Sequence, residues 1–170
     1  MEDKIHSYLV KWTMDYLKGK DAFLKNIETI EENKGGFDLY VKFKESLKSE
    51  ISNSYEPSIR KKEQSFVVKP IIEDVDEVLS RFNGEGRFGL VVFNTHGNFN
   101  VLLNKWNDFI KFKRLCIYFV NPASKLDKKW TIFPYTHNNI CDSNSLERGL
   151  QTMFETVEPL IEASIKDKFK

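Results

Sequence analysis

The chain has 170 residues, 41% hydrophobic and 30% charged, which gives it the size and apolar content of one folded domain and excludes a disordered chain. A formal net charge of +1 excludes a global basic field, so any nucleic-acid binding falls to a local patch. Its two cysteines, Cys116 and Cys141, have no CxxC or paired-histidine spacing, which excludes a zinc site and a disulfide framework.

Ile5, Tyr8, Leu9, Trp12, Tyr16 and Leu17 recur at i, i+3, i+4 and i+7 spacing and predict an amphipathic helix that closes near Gly19. AFLKNIETIEEN allows a further helical turn or a strand, and a strand is placed at 27–31. NKGG is a turn. In FDLYVKFK, Phe37, Leu39, Val41 and Phe43 alternate with Asp38, Tyr40, Lys42 and Lys44, as in a strand with one buried face. Residues 45–63 are polar, contain Pro57 and read as a long hairpin connection to a second, antiparallel strand in QSFVVKPII.

EDVDEVLSRF is a short helix with an acidic first turn, as the helix dipole prefers, and with Val75, Val78, Leu79 and Phe82 inward. NGEG is a turn. RFGLVVFN is almost wholly apolar and predicts a central strand covered on both faces. NFNVLLNKWNDFIKF reads as one helix with Phe99, Leu102, Leu103, Trp106, Phe109 and Ile110 inward. RLCIYFVN is a second buried strand, in which Cys116 is a small core residue. KKWTIFPY is a shorter strand, placed at a sheet edge by Pro134. Asn144, with Glu147 three residues on, predicts the cap of a last helix running through Leu150, Met153, Phe154 and Val157 to Pro159. Leu90, Val91, Val92, Trp106, Ile117, Phe119 and Phe154 are expected to be nearly fully buried.

Strand–helix–strand alternation in the second half requires crossovers. The expected fold is α/β, a mixed sheet flanked by helices, in a single domain over 1–170. The start MEDKIHSYLVKW lacks the layout of a signal peptide, and no apolar run approaches the ~18 residues of a membrane span, so a soluble cytoplasmic protein without a membrane partner is expected.

Asp38 lies at the mouth of one strand, and Lys69 closes the next, in SFVVKP. This order of elements resembles the restriction-endonuclease-like (PD-(D/E)XK) nuclease superfamily over about residues 5–95, especially its RecB-like and archaeal Holliday-junction-resolvase-like branches. GGFDLYVKF stands where that family carries its first metal-binding Asp, FVVKP where it carries D/E-x-K, and IEDVDEVLSRF and FGLVVFN where its next helix and strand follow. The resemblance implies a restriction-endonuclease-like core with C-terminal strand and helix additions. It also implies a Mg2+ ion held by carboxylates, with Asp38 and Lys69 as the catalytic pair.

The second carboxylate of that motif falls on Val67, which has no donor atom. Glu73, Asp74 and Glu77 on the following helix are the nearest replacements, with Asp38, Glu73 and Glu77 as the expected metal ligands. Glu31 or Glu32 before the turn are further candidates. The implied function is a nucleic-acid-binding or accessory protein of DNA or RNA processing that has lost cleavage. The alternatives are an active Mg2+-dependent nuclease with a displaced carboxylate and a protein-interaction module. An Asp on a solvent face, a Lys ending an exposed strand and an acidic helix start account for the same residues without chemistry.

His96 in NTHGN and His137 in PYTHNN end two expected strands, where α/β sheets place their sites, and neighbouring imidazoles there could bind metal or carry protons. Lys105, Lys111, Lys113 and Arg114, with IRKKE at 59–63, are the candidate basic patch.

Overall fold

The computed structural model describes residues 2–44, 63–82 and 86–169. Of the expected hairpin connection at 45–63, residues 45–62 lie outside the described residues and Glu63 already belongs to a strand; of the expected turn at 83–86, residues 83–85 lie outside them. The elements are α1 (Glu2–Asp21), β1 (Ile27–Lys34), β2 (Phe37–Phe43), β3 (Glu63–Val68), α2 (Val75–Ser80), β4 (Arg87–Phe93), α3 (His96–Asn104), α4 (Trp106–Phe109), β5 (Leu115–Val120), β6 (Lys129–Ile132), α5 (Pro134–Ile140), α6 (Ser143–Thr156) and α7 (Glu162–Lys168). No helix among the described residues is long and apolar enough to cross a membrane.

The strands form one six-stranded sheet in the order β1-β2-β3-β4-β5-β6. The β1–β2, β2–β3 and β5–β6 pairs are antiparallel, and the β3–β4 and β4–β5 pairs are parallel. The fold is therefore α/β with a mixed sheet, as the alternation of elements requires. Gly35 (φ 64°) and Gly36 (φ 82°) form the two-residue turn between β1 and β2, where a left-handed backbone at both positions suits only residues without Cβ strain.

The alternating apolar residues of the central strands divide between two layers. Val67, Leu90, Val92, Ile117 and Phe119 pack under α2, α3, α4 and α6, through Val78, Phe99, Leu102, Phe109 and Phe154. Leu39, Val41, Phe66, Val68, Val91, Phe93 and Val120 pack under α1 and α7, through Leu9, Val10, Leu17 and Ile165. β4 is thus covered on both faces, the arrangement its unbroken apolar run predicts.

Phe37 departs from the single buried face expected of β2. Pairing with β3 stops at Leu39↔Phe66. Beyond that point Phe37 joins the opposite layer and stacks on Phe88, with ring centroids 5.8 Å apart.

Several helix ends differ from expectation. α1 runs past Gly19 to Asp21. The helix expected over NFNVLLNKWNDFIKF breaks at Lys105, whose φ of −109° and ψ of 19° leave helical space. Phe109 is buried as expected, but Trp106 is half-buried at the rim, contrary to expectation, with its indole N–H donating to Asn138 at 2.9 Å.

β6 is an edge strand as expected, but Pro134 opens α5 instead of interrupting the strand. Asp142, not Asn144, caps α6. The chain is extended at Asp142 and already helical at Asn144, and the Asp142 carboxylate accepts from the Ser145 N–H at 2.9 Å. α6 ends at Thr156, Met153 is 43% exposed, and α7 is a separate helix.

Candidate functional site

Where β2 and β3 part, a side chain takes over from the backbone ladder. The Val68 N–H donates to Oδ2 of Asp38 at 2.8 Å, and Nε2 of His6 on α1 pairs with Oδ1 at 2.8 Å. Both oxygens of Asp38 are thus engaged, and its side chain is only 12% exposed.

The pair shifts both groups toward charge. The hydrogen bond from His6 to Asp38, helped by the carboxylate's charge, raises the imidazole above its ordinary 6.5 against partial burial and nearby Lys69. Burial, the largest single influence on Asp38, pushes its carboxyl up. The hydrogen bonds from His6 and the Val68 N–H, with the charges of His6 and Arg81, outweigh burial and hold it below the ordinary 3.8.

His6 forms one wall of a cleft of ≈ 600 Å³, lined also by Asp3, Lys69, Glu73, Glu162 and Lys166. Three carboxylates thus face two lysines and an imidazole, so the cleft is mixed in charge rather than basic.

Its walls are fixed by buried amides. Asn98, fully buried in the first turn of α3, accepts from the Ile72 N–H at 2.9 Å. It donates to the Pro70 carbonyl at 2.9 Å and to the Phe93 carbonyl at 2.9 Å. These bonds hold the segment that carries Lys69 and Glu73. Asn94, also fully buried, accepts from the Trp130 indole at 2.8 Å and donates to the Phe154 and Val157 carbonyls. Its own carbonyl receives the Leu160 N–H at 2.8 Å, which sets the entry to α7. Glu162 of α7 packs against Gly97, where a Cβ would lie 2.3 Å from the carboxylate.

The expected site residues separate. Lys69 and Glu73 share the cleft, and Asp38 reaches it only through His6. Glu77 is turned away into an ion pair with Arg81 at 2.7 Å. Asp74 caps α2, accepting from the N–H groups of Asp76 at 3.1 Å and Glu77 at 3.2 Å. Glu31 pairs with Lys34 at 2.7 Å, and Glu32 is exposed on the hairpin. Val67 is fully buried among Ile72, Val78 and Phe82.

Among the described residues no group of three His, Cys, Asp or Glu could hold a metal ion. As placed, the donor set does not fit the six-oxygen shell of Mg2+: Asp38 is bonded on both oxygens, and Val67 offers nothing.

Comparison of the chain with protein-family models, curated proteins and solved structures gives no significant match.

The remaining candidates resolve into packing. His96 is exposed and sets its ring edge-on to Phe154 at 4.8 Å, while Nδ1 of His137 returns to the Phe133 backbone carbonyl at 2.9 Å. In the expected basic patch, Lys111 pairs with Asp108 at 3.2 Å and Lys113 lies 6.0 Å from the Tyr135 ring centre. Residues 59–62 of that patch lie outside the described residues.

His6, Asp3, Glu162 and Lys166 were not anticipated. His6 carried a usable signal, since it sits beside Ile5 and three residues before Leu9, against the apolar stripe of α1. Glu162 and Lys166 carried none, because their place depends on the chain reversal between α6 and α7.

Proposed function

We propose that this protein binds nucleic acid, as a cytoplasmic accessory of DNA or RNA processing, on a restriction-endonuclease-like scaffold whose metal site is incomplete and no longer cleaves. The observation that carries the reading is the state of Asp38. Its carboxylate is bound by His6 and the Val68 N–H, while Lys69 stays on the cleft wall and Val67 is sealed in the core. The succession α1-β1-β2-β3-α2-β4, with Asp38 and Lys69 at the parting of β2 and β3, supports the scaffold.

A second reading is an active Mg2+-dependent nuclease with a displaced carboxylate. It is favoured by Glu73, which lines the same cleft as Lys69 and His6. Gel-shift titration of labelled DNA and RNA over a range of salt tests the binding. A binder loses affinity steeply as salt rises, because phosphate contacts release counterions. No binding even at low salt would leave the protein-interaction module as the better account.

A further inference from the structure

Phe23 is 94% exposed and Leu24 64% exposed, at the tip of the turn between α1 and β1. Large apolar side chains are seldom left in water by a rigid segment, and this segment is held firmly. Both oxygens of Asp21 accept backbone bonds across the turn, from the Asn26 N–H at 2.7 Å and the Ile27 N–H at 2.9 Å. The Lys25 N–H donates to the Asp21 carbonyl at 2.7 Å, and Lys25 itself is left-handed at φ 51°. A side-chain-bearing residue adopts that backbone at a cost, and keeps it where its surroundings dictate it.

Lysines surround the tip. Lys18, Lys20, Lys25 and Lys44 are all exposed, and none forms an ion pair with a carboxylate among the described residues. Lys18, Lys25 and Lys44 line a groove of ≈ 420 Å³ beside the tip. Of the acids in that groove, Asp21 is spent on the turn and Glu28 lies 4.0 Å from Lys42.

We propose that this turn is a contact for single-stranded nucleic acid: Phe23 is a platform on which a base stacks, and Lys18, Lys25 and Lys44 hold the phosphates that follow it along the groove. An aromatic face beside a cationic channel is the arrangement that binds single strands without regard to sequence. An anionic bilayer is the other chemistry a lysine-ringed apolar tip could meet. It would press on the tip as a plane and leave the groove unfilled, whereas a strand fills both.

The inference shares its ligand class with the preceding reading but not its site. The cleft lies at the other end of α1, whose 20 residues span about 30 Å at the helical rise.

The test is fluorescence-anisotropy titration of a labelled oligothymidylate with the full chain. The double variant Phe23→Ala/Leu24→Ala should weaken binding about tenfold, and the triple variant Lys18→Gln/Lys25→Gln/Lys44→Gln should flatten the salt dependence by about 2 in log–log slope. Asp21→Ala, which frees the turn and leaves its tip residues in place, should also weaken binding. All six side chains are at the surface or in the turn, and unchanged thermal melting would certify the fold. Unchanged affinity in the double variant overturns the inference. If Lys69→Ala weakens binding in that same experiment, the cleft reading stands without the tip. Loss of cosedimentation with phosphatidylserine vesicles in the double variant, with oligothymidylate binding intact, overturns it in favour of a membrane surface.

Discussion

Two hydrogen bonds decide what Asp38 can do, and they make a prediction about pH. His6 is raised, so its charged form adds stability that is fully present below the ordinary 6.5 and is lost as pH rises through the raised value. Asp38 is lowered, so its contribution is present above the ordinary 3.8 and is lost as pH falls through the lowered value. The melting-temperature gap between wild type and His6→Gln should therefore be widest between about pH 4 and 6 and should close above neutrality. The gap should be modest, since the imidazole is 38% exposed and solvent screens the pair. An NMR titration placing His6 at or below 6.5 would refute the pairing. Val67 gives the opposite kind of test. Val67→Glu puts a carboxylate into an apolar cluster rather than the cleft, and should cost about 3–5 kcal/mol in urea denaturation, with no recovery on adding Mg2+. Recovery would mean that this position reaches a metal site after all. Lys69 and Glu73 could be read from their places on a strand end and a helix start. The place of His6 beside the apolar stripe of α1 is legible, but its partner is not, because that depends on which strand end lies beneath it.

At the level of elements, Asn98 ties the first turn of α3 to the segment after β3 through two bonds, one accepted from Ile72 and one donated to Pro70, and to the end of β4 through a third, donated to Phe93. Asn98→Ala would leave the Ile72 N–H and two carbonyls buried without these partners, and should destabilise the fold by about 3 kcal/mol in denaturant unfolding. A loss under about 1 kcal/mol would mean that water replaces the amide there. The same stretch illustrates what sequence can carry. NTHGN stood out for its histidine, while its asparagines do the work, since the donors and acceptors they satisfy lie on other elements. Strand identities were readable, because β4 after Arg87 and β5 are apolar and β2 alternates. Helix ends were not. The break at Lys105 leaves Trp106 at the rim while Phe109 stays buried, and Asp142 rather than Asn144 caps α6 because the backbone turns helical one residue after Asp142.

For the whole molecule, strand–helix alternation was enough to expect a mixed sheet with helices on both faces. The position of α7 was not, since it depends on Asn94 and Asn121. The Asn121 side chain donates to the Glu158 carbonyl at 2.6 Å and, with Asn94, brings Glu162 and Lys166 back to the cleft at the opposite end of the sequence. The cleft that results is lined by Lys69 and His6, and Asp38 meets it only through its bond to His6. Incubating purified wild-type protein with labelled single- and double-stranded DNA and RNA in Mg2+ tests this account most directly. It predicts salt-sensitive retention of intact strands and no cleavage. Mg2+-dependent products that disappear in both Asp38→Ala and Lys69→Ala would contradict it and establish the active nuclease in its place.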